Sequence, residues 1–137
     1  MIHLFPSARA TLKADPYFLN YQDSEGRFRV FDENEAPGTE TNFITIEQAP
    51  ADQDQLSGWA TTSLTFNVIG KDTEKPTLWE IADKIRDIFQ AAEIFAAVGT
   101  ADAIEYQVLG DAVFDVGTNP VTENVYVSVA LTFGIVP

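Results

Sequence analysis

The stretch "FNVIGKDTEKPTLWEI", Phe66 to Ile81, has the outline of a strand, a glycine turn and a helix, and Gly70 followed by Lys71 raises the chemistry of a phosphate-binding loop. Such a loop wraps phosphate in backbone N–H groups, for which it needs a second glycine upstream, and it needs Ser or Thr directly after the lysine to hold magnesium. Thr65 stands at the upstream position and Asp72 follows Lys71, so a carboxylate would face the anion the loop is meant to hold. The stretch therefore reads as a turn.

Other constellations fare no better. Nucleophilic catalysis of the Ser-His-acid type needs a histidine beside a serine, and the single histidine, His3, lies close to the start of the chain. Zinc sites are built from Cys and His, and the chain has no cysteine. Asp52 and Asp54 begin like a calcium loop, but Leu56 stands where the third oxygen ligand belongs. Paired carboxylates for acid-base work are abundant, with 21 Asp and Glu, yet nothing marks a pair held in apolar surroundings. The expectation is therefore no catalytic residue, no metal and no cofactor. Trp59 and Trp79 are the two large aromatic residues that stand off the apolar patterns below, as interface anchors or as caps on the core edge.

The 137 residues match one domain, residues 1–137, and the 45% hydrophobic content suffices for a packed core. Charge is the outlier. Eight Lys and Arg against 21 Asp and Glu give a net charge of −13. The basic residues fall in two blocks, Arg9, Lys13, Arg27 and Arg29, then Lys71, Lys75, Lys84 and Arg86. This balance opposes affinity gained by neutralising phosphates, on nucleic acid or on an anionic membrane, while an acidic wall past which DNA slides remains physically sound. No signal-peptide pattern and no long apolar span is visible, which leads to the expectation of a soluble intracellular chain without membrane contact.

Two helices are expected to position whatever the chain presents. A first runs from Pro6 to about Ala14, since Pro suits a first turn and Pro16 stops it. A second begins after Pro76, where Thr77 and Glu80 have capping-box spacing, and Leu78, Ile81, Ala82, Ile85, Ile88, Phe89 and Ala92 form one apolar stripe. Three stretches alternate with strand period: Ala60 to Val68, Ile104 to Val116 and Val125 to Ile135. "GTNP" at Gly117 to Pro120 joins the last two as an antiparallel hairpin, and shorter strands are expected at Arg27 to Phe31 and Phe43 to Glu47. The fold class is thus α+β: a single antiparallel sheet of about four to five strands, two helices on one face, order α-β-β-β-α-β-β. Between them "DENEAPGTET" and "QAPADQDQLSG" form two long acidic loops.

The short N-terminal helix, "RVFDENEAP" leading to the strand "NFITI", "GWATTSLTFNVIG" followed by "TLWEIADKIRDIF", and the closing "VYVSVALTFGIV" together make a pattern. In this order the chain resembles the tail-terminator, or tail-completion, proteins of long-tailed bacteriophages, including the minor tail protein U of lambda-like phages. It departs from them in a longer hairpin connection around Gly110 to Asn124. The resemblance implies a non-enzymatic virion protein that forms a hexameric ring on the tail tube, ends tube polymerisation and offers a surface for joining the head. It implies as partners a second copy of itself, the tube protein and head–tail connector proteins, with DNA passing through the bore unbound. It places the protein in the virion tail, and in host cytoplasm during assembly. Asp32, Glu33, Glu35, Glu40, Asp52 and Asp54 then become candidates for the tube-facing or lumen-facing surface, with Trp59 and Trp79 as interface candidates. Other readings are another neck or head-completion protein or, in a different class, a small acidic enzyme or ligand-binding domain.

Overall fold

The computed structural model of the chain describes residues 4–32, 42–49, 52–53, 60–91, 94–98 and 102–135. His3, Glu33, Glu35, Glu40, Asp54 and Trp59 lie outside the described residues. The described elements are helix α1 (Phe5–Ala14), strands β1 (Val30–Asp32), β2 (Phe43–Gln48), β3 (Asp52–Gln53) and β4 (Ala60–Gly70), helix α2 (Lys75–Ala91), and strands β5 (Ile94–Val98), β6 (Asp102–Thr118) and β7 (Val125–Ile135).

The strands form one sheet in the order β1-β2-β4-β7-β6-β5, and β3 extends the β2 side of β4. The α+β class and the order of the long elements match the sequence reading. Two details differ. Among the described residues the sheet has seven strands, because β3 and β5, too short to show a period, join it. One pair, β1 with β2, is parallel, while the others are antiparallel. A parallel return needs a long connection rather than a tight turn, and the long stretch between Asp32 and Phe43 supplies one.

Both helices cover the same face of the sheet. Leu4, Ala8 and Leu12, four apart along the first helix and its approach, and Leu78, Ile81, Ala82, Ile85 and Phe89 of α2 join one core with Ile44, Ile46, Leu64, Phe66, Val68, Val127, Val129, Leu131 and Phe133 from the strands. At its centre the Phe89 ring meets Phe66 at 5.0 Å and Phe133, edge to face, at 5.8 Å. Gln48 ties the layers together: its side-chain oxygen accepts the Leu4 N–H at 2.8 Å, which gives one free donor at the start of α1 a partner.

α2 starts at Lys75, earlier than the Thr77–Glu80 spacing predicts. A 3-10 turn, Asp72–Glu74, runs straight into it, and the Glu74 carboxylate accepts the Lys71 N–H at 3.2 Å. Pro76 sits in the first turn, where its missing N–H costs nothing. Glu80, freed from a capping role, accepts the Tyr17 hydroxyl at 3.0 Å and so bridges the α1 end of the chain to α2.

Candidate functional site

Among the described residues, no element covers the face of the sheet opposite the helices. Strand register arranges its side chains in rows that run across four neighbouring strands. One row is Phe43, Ile69, Tyr126 and Gly117; the next is Thr45, Asn67, Ser128 and Asp115; the third is Glu47, Thr65, Ala130 and Val113. Together with Asn119, Thr122 and Asn124 of the hairpin turn they line a groove of about 660 Å³.

The middle row is wired. Ser128 Oγ donates to Asn67 Oδ1 at 2.6 Å, and Asn67 Nδ2 donates to Thr45 Oγ1 at 3.3 Å. Asp115 closes the row beside Ser128. Cross-strand polar pairs of this kind fix register and hold side chains in place. The Ser128 hydroxyl donates to an amide oxygen. In the first row a Cβ on Gly117 would run into the Tyr126 ring, so the glycine exists there to let that ring lie flat across the strand.

Further along, β6 carries a bulge. Leu109 pairs with Thr132 and Val113 with Ala130, so four steps along β6 match two along β7. Gly110, at φ +71, turns the corner. Two extra residues are an even number, and the alternation resumes in the same phase: Tyr106, Val108 and Phe114 all meet the core, as the alternating pattern predicts.

Positive charge is kept off the strands. No strand carries a Lys or Arg; all eight lie on the helices or on the segments leading into β1 and α2. Glu47 and Asp115 stand at opposite sides of the groove.

The Gly70–Lys71 turn has a structural role. Tyr21 Oη donates to Asn42 Oδ1 at 2.7 Å, Asn42 Nδ2 donates to Glu74 Oε2 at 2.8 Å, and the other oxygen of Glu74 holds the Lys71 N–H. A Cβ on Gly70 would press on Leu78, Asn42 and Glu74. Burial pushes the Tyr21 phenol well above its ordinary range, opposed by the Arg29 guanidinium stacked 3.8 Å from its ring centre and helped by Glu74. This relay clamps the end of β4 to the start of α2.

The sequence-derived candidates are not gathered at the groove. Asp32 ends β1 at one edge of the sheet, and Asp52 lies on β3 opposite Thr61. Trp79 is half-buried in the helix layer, its ring 5.9 Å from that of Phe114. The groove residues Asn67, Ser128 and Asp115 were visible as the polar side of alternating strands. Their joining into one row depends on register, which a single strand does not reveal. Among the described residues no group of three or more His, Asp or Glu is placed to hold a metal ion.

No protein-family model matches the chain, and no curated relative matches it. A solved structure does. Over 96% of this chain and 93% of the other, the fold superimposes on a chain of the virion of the native gene transfer agent (GTA) particle, with a TM-score of 0.66 and 14% identity. The fold is shared.

Proposed function

We propose that this chain is a structural virion protein of the tail-terminator kind: a ring of six copies that caps the tail tube, ends its polymerisation and presents a surface to the head–tail connector. The observation that carries this reading is the end-to-end likeness of fold to a chain of a virion particle. The acidic loops, with Asp32, Glu33, Glu35, Glu40, Asp52 and Asp54, are assigned to the tube or the bore, and Trp59 to a subunit contact. Trp79 is assigned to the support of that contact through Phe114.

Physical features support it. Six copies, each at −13, would line a passage to which DNA does not adhere. The serine of the open face donates to an amide oxygen within a side-chain relay, as suits a contact surface better than a catalytic cleft. Mutual repulsion between copies opposes ring formation in dilute solution, and several weak contacts on a tube end add up to overcome it there.

The test is to add the purified protein to growing cognate tubes and measure tube lengths and end occupancy by electron microscopy. Shortened tubes with rings at one end are expected. Tubes of unchanged length with bare ends would sink the proposal, and binding to isolated connectors without binding to tubes would move the protein to the neck.

A further inference from the structure

Two surfaces of the molecule are complementary: the free part of the β6 edge and a cleft beside α1. The first is the outer edge of β6. β5 pairs only with Asp102 to Tyr106, so among the described residues no strand covers the backbone from Gln107 to Thr118 on that side. Free strand edges seek partners unless blunted, and this one is blunted only by the bulge and its acids. The same hairpin exposes Val113 at 65% and Val121 at 89%, with Val116 also exposed. It carries Asp111 and Asp115 and no cation.

The second is a cleft of about 710 Å³ between α1 and the segment entering β1. Its lining combines Phe5, Phe28 and Phe31 with Arg9, Lys13 and Arg27. Arg27 is countered by Asp23 at 2.8 Å and Glu25 at 3.2 Å. Arg9 stacks over Phe28 and donates to the Val30 carbonyl, and both contacts leave it cationic. Lys13 is exposed. The cleft is thus aromatic and basic in a molecule whose net charge is strongly acidic.

We infer that copies of this chain join head to tail, the bulged, acidic edge of β6 in one copy seating in the aromatic, basic cleft beside α1 of the next. Apolar valines meet aromatic rings, and Asp111 and Asp115 meet Arg9 and Lys13. A contact between two different patches is heterologous and closes into a ring when its rotation allows. The inference rests on the ring reading above and names its interface. Local charge pairing also selects this contact over others between like-charged molecules.

Charge reversal tests it. One variant carries Arg9→Glu and Lys13→Glu, the other Asp111→Lys and Asp115→Lys, each checked for folding by circular dichroism. Lys13→Glu alone, on an exposed side chain, replaces the first if the double change unfolds it. Sedimentation velocity over a wide concentration range then follows assembly. The wild-type protein is expected to associate, and each variant to need about tenfold or more higher concentration. An equimolar mixture of the two is expected to recover assembly, because every contact again joins opposite charges. Variants that associate like the wild type would overturn this interface and leave the ring standing. A wild-type protein that stays monomeric at every concentration would overturn the interface as a self-contact, with the ring then judged by tube capping alone.

Discussion

Asn42 is a small residue with a large structural duty. It accepts from a buried tyrosine and donates to Glu74, so removing its side chain leaves both groups short of a partner inside the protein. Asn42→Ala is expected to cost about 1–3 kcal/mol in urea unfolding, the usual penalty for orphaned buried polar groups. Tyr17 offers a pH-dependent reading of the same kind. Partial burial, then the hydrogen bond to Glu80 and the charge of that carboxylate, raise its phenol from 10.0 to about 12. A neutral phenol is therefore favoured in the folded state. The stability it contributes is fully present below pH 10 and is lost as pH rises through about 12. Phenolate absorbance should show Tyr17 titrating late, and Glu80→Gln should bring the transition part of the way down, burial holding the rest. Titration at the ordinary value in the wild-type protein would mean that Tyr17 and Glu80 are not in contact.

At the scale of elements, two glycines of β6 make a controlled pair. Gly110 has φ +71 with nothing within 4 Å of an added Cβ, so Gly110→Ala probes backbone conformation alone and is expected to cost about 1 kcal/mol. Gly117 has no such φ, but its added Cβ would strike the Tyr126 ring. Gly117→Ala should destabilise through that ring, and the loss should shrink in a Tyr126→Ser background; equal losses in both backgrounds would refute the ring contact. These elements also mark how far the sequence could be read. The stripe of α2 was legible because its residues repeat over many turns. The alternation of β6 was legible through its bulge only because the excess is even. β3 and β5 were too short to announce themselves, and the parallel β1–β2 pair depends on a partner remote along the chain. The Thr77–Glu80 capping box was misread because Glu74 had already filled the role, leaving Glu80 to bind Tyr17. The groove could not be read at all beyond its polar character, since its rows exist only once four strands are in register.

For the whole molecule the governing feature is the separation of charge, with the cations on the helices and on the segments leading into β1 and α2, and none on the strands. The groove should repel DNA as it stands. Thr45→Lys with Glu47→Lys, both on the open face, should leave the fold intact and give DNA retention at low salt that disappears as salt rises. Retention by the unaltered protein would argue against a passage that DNA traverses freely. The same separation has a practical corollary. Lys13, Lys71, Lys75 and Lys84 are all on the helices or the turn that leads into α2, so every lysine amine lies off the strands. Lysine-directed dyes and coupling therefore spare the strands. A preparation tethered through its lysines would keep its groove side chains unmodified, ready to be offered to tubes.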